Sequence, residues 1–211
     1  GPYSIATLAS DASAVLDAAG VESAHVLGFS MGGFIAQEFA LTYPQRLRKL
    51  VLAATSCGGQ EGVHAAPEVL LALAAKAVKT REEGFWMTAP YNYHTSTPRA
   101  LIEEDLAMTL RSPLKRESYQ AQLHAITSWT GSYSRLPSLQ APTLILHGDS
   151  DQLIPTVNGR ILARVIPHSK LIVLEQASHR LMTDKLEDAS RAILSFLDGA
   201  EEQSAHGEGV A

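Results

Sequence analysis

Apolar residues in the chain fall into two kinds of pattern, short continuous runs and longer stretches with helical spacing. The short runs lie at residues 24–28, 49–54, 143–147 and 170–174 and are rich in branched side chains. Runs of this length and composition are typical of strands buried in a parallel sheet. Between the runs, apolar residues recur every three or four positions, as they do in helices packed on one face. The alternation predicts an α/β fold with a mostly parallel sheet flanked by helices.

The two ends of the chain predict helices on either side of these strands. Residues 184–197 are expected to form a closing helix, and Asp184 is interpreted as a helix-capping or surface residue. Residues 1–19 are expected to form a helix before the first strand. Its apolar positions at helical spacing are Ile5, Leu8, Ala12, Val15 and Leu16.

The region between the second and third predicted strands has no convincing strand of its own. Helical stretches are expected there at about 66–80, 82–92, 98–111 and 115–130. Pro67 and Pro98 stand where two of these helices would begin.

These patterns predict the organisation of the chain. Residues 1–56 and 137–198 are expected to form the α/β core, and residues 57–136 a helical insertion between its two parts. Residues 199–211 have no apolar periodicity and are expected to be disordered.

The segment 28–33, GFSMGG, lies between the first predicted strand and the helix that follows it. G-x-S-x-G in this context is typical of a sharp turn that exposes a serine oxygen, here that of Ser30. We expect side chains at Gly28 or Gly32 to collide with neighbouring chain. Free N–H groups at the start of the helix could stabilise an oxyanion. The alternative is an ordinary turn in which the serine only caps the helix.

A nucleophilic serine needs a base, and the base needs an orienting acid. Asp151 follows the third predicted strand, and His179 follows the fourth. Ligand sites of open parallel sheets lie at this edge, where the strands end. Asp149 competes with Asp151 for the role of the acid, and His147 is interpreted as a structural residue.

Three segments, taken together, resemble the α/β-hydrolase superfamily. They are 28–33 (GFSMGG), 147–155 (HGDSDQLIP) and 178–180 (SHR), in the chain order serine, acid, histidine. The chain looks most like the esterase, lactonase and methyl-esterase branch, whose members carry a lid. Ala177 departs mildly from this pattern, because many relatives have glycine two residues before the histidine.

The resemblance implies roles for individual residues. Ser30 would be the nucleophile, Asp151 the acid and His179 the base, and the Met31 N–H would be one oxyanion donor. The insertion at 57–136 would be a cap over the site. The substrate pocket is predicted at Phe29, Trp86 and Trp129. Further aromatic and apolar candidates for its wall, each more typical of a core position, are Phe85, Met87, Tyr91 and Tyr93.

Resembling proteins have several strands before the first helix seen here, and a loop among those strands supplies a second oxyanion N–H. The first predicted strand, 24–28, would therefore be an open apolar edge. We expect the chain to be a fragment, or its edge to be covered by a second copy or another chain. The Gly1-Pro2 start would fit a cleaved product but could equally be native.

Composition narrows the class of protein. A hydrophobic content of 45% is typical of a globular protein. A net charge of −5, with no basic cluster, is unlike that of a nucleic-acid-binding protein. We predict no membrane span, metal or cofactor, because no apolar run is long enough and no metal-ligand motif is present. The single Cys57 rules out an internal disulfide and favours a reducing compartment, so we predict a cytoplasmic location. Cys57 itself is expected to be a small buried side chain.

The predicted function is hydrolysis of a carboxylic ester of small or medium acyl length, or of a lactone, through an acyl-enzyme. The same three residues would serve a thioesterase, a C–C hydrolase or a perhydrolase. Two other classes of function stay open. The chain could be a non-catalytic ligand-binding or signalling module, or one part of a two-chain enzyme.

Overall fold

The computed structural model describes residues 3–76, 78–112 and 115–199. The predicted tail lies outside these ranges except for Gly199, a left-handed residue that ends the last helix. In chain order the helices and strands are α1 (Ile5–Ala18), β1 (Ala24–Phe29), α2 (Met31–Thr42), β2 (Leu47–Ala53), α3 (Pro67–Lys76), α4 (Arg81–Asn92), α5 (Arg99–Arg111), α6 (Arg116–Ser128), β3 (Thr143–Gly148), α7 (Val157–Val165), β4 (Ser169–Leu174), α8 (Leu181–Asp184) and α9 (Leu186–Asp198).

In the described residues the strands form one parallel sheet in the order β1-β2-β3-β4. All four predicted strands are present. Every residue of β3 is buried, which explains why this strand is a continuous apolar run and not an alternating one. The predicted α/β fold with a mostly parallel sheet is therefore confirmed.

The sheet carries an apolar cluster on each face, because successive strand residues point to opposite sides. On one face, Ile145 of β3 packs in the cluster that includes Ala36 and Phe39 of α2. On the other face, Leu146 packs in the cluster that includes Leu181 and Ala189, from α8 and α9. The sheet is thus covered on both faces, and the loops that follow its strands are left to build a site.

Cys57 follows β2 and belongs to the first of these clusters. Its side chain is buried, as predicted, and burial raises the pKa of the thiol to about 11. A thiol held in this protonated form is a poor nucleophile at neutral pH.

The region between β2 and β3 consists of the four expected helices, α3 to α6. Thr80 and Glu83 form a reciprocal capping box that starts α4. Phe85 and Tyr93 then pack with Leu106 of α5 in a small apolar cluster. The assignment of residues 57–136 as a separate cap remains a prediction.

Two buried polar side chains of α2 tie the end of this insertion to the core. The Gln37 amide oxygen accepts a hydrogen bond of 2.7 Å from the Ser132 hydroxyl. Glu38 accepts hydrogen bonds from the Trp129 indole N–H and the Arg135 guanidinium. The sequence signal for these hydrogen bonds is a pair of adjacent polar residues, Gln37 and Glu38, within an otherwise apolar helix.

Strand β1 lies at one edge of the sheet and pairs only with β2 among the described strands. The Leu27 side chain on this strand is 46% exposed. The predicted open apolar edge is therefore present in this structure. Among the described residues, no helix has the length and apolar character needed to cross a membrane.

Candidate active site

Ser30 occupies the sharp turn between β1 and α2. Its φ of 54° and ψ of −121° are an unusual combination for a residue with a side chain. Two hydrogen bonds hold this conformation. The Ser30 N–H donates to the Ala53 carbonyl at 2.9 Å, and the Thr55 hydroxyl donates to the Ser30 carbonyl at 2.8 Å. The end of β2 therefore fixes the backbone that presents the serine.

The glycines around Ser30 differ in how much space a side chain would have there. A β-carbon at Gly28 would lie 2.7 Å from the Ala36 β-carbon, and one at Gly33 would lie 2.5 Å from that of Thr55. A β-carbon at Gly32 would meet nothing within 4 Å. The expectation of a collision was therefore right at Gly28 and wrong at Gly32. Gly28 needs to be small because the Gly32 backbone itself approaches it closely.

Asp151 lies in the turn after β3, with a side chain that is fully buried. Its Oδ1 atom accepts hydrogen bonds of 2.9 Å from the N–H groups of Leu153 and Ile154. Its Oδ2 atom lies 3.0 Å from Nδ1 of His179. Asp149 points elsewhere and accepts from the Ser150 hydroxyl and the Gln176 N–H. Of the two candidate acids, the structure brings Asp151 to the histidine.

His179 follows β4 and connects the acid to the serine. Its Nε2 atom lies 3.0 Å from Oγ of Ser30. The ring is 3% exposed, and its centroid lies 5.1 Å from that of Phe29. The structure thus brings Ser30, His179 and Asp151 into one continuous hydrogen-bonded chain.

The charge of Asp151 sets which imidazole nitrogen of His179 carries the hydrogen. Burial raises the pKa of this carboxyl group, but hydrogen bonds from His147 and His179 and from the Ile154 N–H outweigh burial and hold the pKa at about 2. An ionised carboxylate only accepts hydrogen bonds, so Nδ1 of His179 carries the hydrogen. Nε2 is then free to accept the hydrogen bond that the Ser30 hydroxyl donates.

His147 lies at the end of β3 behind the acid. Its Nε2 atom donates to the Ile154 carbonyl at 2.8 Å and lies 3.5 Å from Oδ2 of Asp151. The side chain is fully buried, and Nδ1 has no hydrogen-bond partner within the described part of the chain. His147 therefore supports the turn that carries Asp151, in keeping with its interpretation as a structural residue.

Met31 is the first residue of α2, next to Ser30. The first N–H groups of a helix have no partner within the helix. The role of the Met31 N–H as an oxyanion donor stays a prediction. Its side chain packs against a cluster formed by Ile5, Phe34 and Ala125, which come from three different helices.

The three predicted pocket residues lie in different surroundings. Phe29 is next to the His179 ring. Trp129 stacks on Phe34 with ring centroids 4.8 Å apart and packs on the same cluster as Met31. Trp86 packs edge-on against Phe85 inside the insertion, with the Arg99 guanidinium over its ring. Phe29 thus contacts the histidine, Trp129 contacts α2, and Trp86 contacts other residues of the insertion.

Asp184 has a role that the sequence reading missed. The expected helix 184–197 begins at Leu186, and Asp184 instead ends the short helix α8. Its half-buried carboxylate accepts hydrogen bonds from Ser178 N–H, His94 N–H and the Thr97 hydroxyl. The interpretation as a capping or surface residue is therefore wrong. Its spacing of five residues after His179 was the only signal in the sequence.

Within the described ranges, no group of three or more His, Cys, Asp or Glu side chains is placed to hold a metal ion. The acidic and basic groups described above are instead hydrogen-bonded to one another and to the backbone.

A parallel sheet in which a serine, an acid and a histidine follow three of the strands, here β1, β3 and β4, characterises one broad class of α/β protein. Over residues 1–186 the chain matches the family described as the alpha/beta hydrolase fold. The chain belongs to this family, and the resemblance inferred from three short segments is confirmed.

Two curated proteins show the sequence similarity of the chain to other members of the family. The chain is 35% identical over 199 residues to the poly(3-hydroxyalkanoate) depolymerase of Ectopseudomonas oleovorans, covering 93% of this chain and 68% of that protein. It is 32% identical over 190 residues to the 2-hydroxy-6-oxo-6-phenylhexa-2,4-dienoate hydrolase of Comamonas testosteroni, covering 87% of this chain and 65% of that protein. The chain thus spans about two thirds of the length of these relatives.

Solved structures show the same relationship. A thermophilic esterase from Thermogutta terrifontis superposes with a TM-score of 0.79 at 28% identity, covering 94% of this chain and 74% of that one. A hydrolase from Pseudomonas aeruginosa PA01 superposes with a TM-score of 0.74 at 30% identity, covering 93% and 73%.

Proposed function

We propose that the chain is a serine hydrolase that cleaves carboxylic esters through an acyl-enzyme. The observation that carries this proposal is the hydrogen-bonded chain from Oγ of Ser30 through His179 to Asp151. Membership of a family whose named relatives are hydrolases supports the hydrolytic chemistry. That the cleaved bond is a carboxylic ester is part of what we propose.

In the first step, Nε2 of His179 takes the proton of Ser30 as Oγ attacks the ester carbonyl carbon. The carbonyl oxygen becomes an oxyanion beside the Met31 N–H, at the N-terminus of α2. When the intermediate collapses, the bond to the alkoxy oxygen breaks. The leaving alcohol then takes its proton from His179, and an ester joins the acyl group to Ser30.

In the second step, His179 removes a proton from water, and the resulting hydroxide attacks the acyl-enzyme. Collapse of this second intermediate returns the proton to Oγ of Ser30 and releases a carboxylic acid. Asp151 stays ionised throughout, holds Nδ1–H in place and stabilises the imidazolium that forms in both steps.

We propose Phe29 and Trp129 as walls of the acyl pocket, with Trp86 further out in the cap. Phe29 is well placed for this role because its ring lies against His179. An acyl chain bound there would be surrounded by apolar rings, which favours esters of small to medium acyl length.

A C–C hydrolase is the second candidate, because the Comamonas relative acts by its name on a dienoate. Both reactions would use the same serine, histidine and acid. The ester reading is preferred because the depolymerase relative has the higher identity, and the units of a poly(3-hydroxyalkanoate) are joined by ester bonds.

Steady-state assays with p-nitrophenyl esters of increasing acyl length test the proposal. We expect hydrolysis by the wild-type chain and a loss of about 10³-fold or more in kcat for Ser30→Ala and for His179→Ala. Cleavage of a dienoate ketone with no cleavage of any ester would instead assign the C–C reaction.

We also propose that the free edge of β1 is paired in solution with a strand from a second copy or another chain. The exposed Leu27 on this edge strand supports pairing, because an open apolar edge is prone to it. Light scattering after size exclusion should show a species heavier than the monomer. Leu27→Lys should shift it toward the monomer, whereas Val15→Lys, at an exposed site on α1, should not. A wild-type monomer at every concentration would contradict pairing with a second copy.

A further inference from the structure

The loop that carries His179 is bonded directly to the helical insertion. The Arg180 N–H donates to the Asn92 carbonyl at 2.7 Å, and the Ser178 hydroxyl donates to the Tyr91 carbonyl at 3.3 Å. The residues on either side of the histidine are therefore held by the C-terminal end of α4. A movement of α4 would act on the histidine loop without any contact to the imidazole itself.

The Asp184 side chain is hydrogen-bonded both to the histidine loop and to the insertion. Its Oδ2 atom accepts from the Ser178 N–H at 2.7 Å and from the His94 N–H at 3.2 Å. Its Oδ1 atom accepts from the Thr97 hydroxyl at 2.6 Å. One carboxylate thus connects the residue before His179 with the segment between α4 and α5.

A second carboxylate, which belongs to the insertion, also connects it to the helix after His179. Asp105 of α5 accepts from the Thr183 hydroxyl at 2.8 Å and from the Tyr93 hydroxyl at 2.9 Å through its Oδ2 atom. Thr183 belongs to the same short helix, α8, as Asp184. The helix that follows His179 is therefore fixed to the insertion at two adjacent positions.

We propose that Asp184 is a positioning residue, which sets the reach of His179 to Ser30 by clamping the histidine loop to the α4–α5 connection. The inference rests on the proposed function, because it assigns a role in the same reaction. Among the described residues, Asp184 accepts hydrogen bonds from two backbone N–H groups and from Thr97, so we assign it an action through the loop and not on the substrate.

The rate of proton transfer depends on the distance between Ser30 and His179. The Ser30–His179 hydrogen bond is 3.0 Å long, and a displacement of about 1 Å can cost about 100-fold in rate. Losing the Asp184 carboxylate leaves the Ser178 N–H without its acceptor, so the loop can relax away from this position. An asparagine could keep an oxygen toward the two N–H groups and turn its amide toward the Thr97 oxygen.

The first test compares Asp184→Ala and Asp184→Asn with Asp188→Asn, a control in which an exposed carboxylate on α9 is removed. Ester turnover gives kcat and KM, and thermal unfolding gives the melting temperature. We expect kcat to fall by about 10- to 100-fold in Asp184→Ala, to recover to within about 3-fold of wild type in Asp184→Asn, and to stay unchanged in the control. The inference is overturned if Asp184→Ala keeps its kcat and only melts earlier, or if Asp184→Asn is as slow as Asp184→Ala.

The second test approaches the clamp from the insertion. Thr97→Val removes only the hydroxyl that donates to Asp184 and should lower kcat by about 2- to 5-fold. Combined with Asp184→Ala, it should add nothing further, because both changes break one connection. Fully additive losses would contradict a shared clamp.

Fluorophosphonate labelling of Ser30 in the same variants separates this inference from the proposed function. If the wild-type chain reacts and Asp184→Ala reacts at the same rate, the positioning role fails and the proposed function stands. If the folded wild-type chain does not react at all, the proposed function fails first.

Discussion

At the scale of single residues, the carboxylate of Asp151 is engaged by two histidines and two backbone N–H groups. The Leu153 and Ile154 N–H groups hold one oxygen, and His179 and His147 face the other. A buried carboxyl group would otherwise favour its neutral form. This environment keeps the acid ionised and therefore keeps the hydrogen of His179 on Nδ1.

The low pKa of Asp151 predicts a specific dependence of stability on pH. A folded-state pKa of about 2, below the ordinary value of 3.8, contributes stability that is present above about pH 4 and is lost as the pH falls through 2. The contribution is about 2 kcal/mol, and about half of it should be gone at pH 3. Urea unfolding of wild type and Asp151→Asn at pH 5, 4 and 3 measures it. The gap between the two free energies should narrow as the pH falls.

Asp188→Asn is the control for this experiment, since it removes an exposed carboxylate that pairs with Arg191 on α9. Its gap from wild type should vary little over the same range. A gap for Asp151→Asn that stays constant from pH 5 to pH 3 would show that Asp151 is not held ionised by its surroundings.

At the scale of elements, the serine turn depends on the close approach of β1 and α2. Gly28→Ala would place a β-carbon against the Gly32 backbone and Ala36. We expect a loss of about 2 kcal/mol or more in the free energy of unfolding, because the backbone has to shift. Gly32→Ala, with open space around its β-carbon, should be neutral or slightly stabilising. Urea unfolding of both variants checks the contrast, and equal losses would contradict the packing described for the turn.

Helix α2 also anchors the end of the insertion through Glu38. Burial raises the pKa of Glu38, but the hydrogen bonds from Arg135 and Trp129 outweigh burial and hold it below its ordinary value. Glu38→Ala leaves both donors without their acceptor and should cost about 2 kcal/mol. Urea unfolding measures the loss.

Trp129→Phe serves as the matched variant for Glu38→Ala. It keeps a ring against Phe34 but removes the N–H, so it should cost less than Glu38→Ala. If Glu38→Ala were as stable as wild type, the contact would not hold the insertion to the core.

The strands and the serine turn could be predicted because their signals are local. A buried parallel strand is a continuous apolar run, and the turn at Ser30 needs small neighbours within three positions. The hydrogen bonds of Glu38 and Asp184 to distant parts of the chain could not be predicted in the same way. Glu38 meets Trp129, a partner 91 positions away, and the local pattern around Asp184 equally fits a helix cap.

At the scale of the whole molecule, the site is assembled from loops that are far apart in the chain. Ser30 and His179 are separated by 149 positions, yet the parallel sheet brings the ends of their strands to one edge. The order serine, acid, histidine was readable from the sequence because each residue follows an apolar run. The sequence could not show which side chains of the insertion face the substrate. Aromatic residues such as Trp86 fit a small apolar core equally well.

Two of the connections between the insertion and the core lie close to the site, one at the end of the insertion and one near its middle. Gln37 and Glu38 hold the return into β3, and Asp184 with Asp105 holds the connection between α4 and α5. Both connections join the insertion to elements that flank the serine or the histidine. We therefore expect changes in the insertion to alter the geometry of the site as well as the shape of the pocket.

The most direct test of the central claim is intact-mass analysis after exposure to a fluorophosphonate, with Ser30→Ala measured in parallel. We expect a single adduct on the wild-type chain that maps to Ser30 and is absent from the variant, since only an activated serine attacks phosphorus at a useful rate. A folded wild-type chain that remains unmodified would contradict the account. Such a result would favour a ligand-binding role for the same fold.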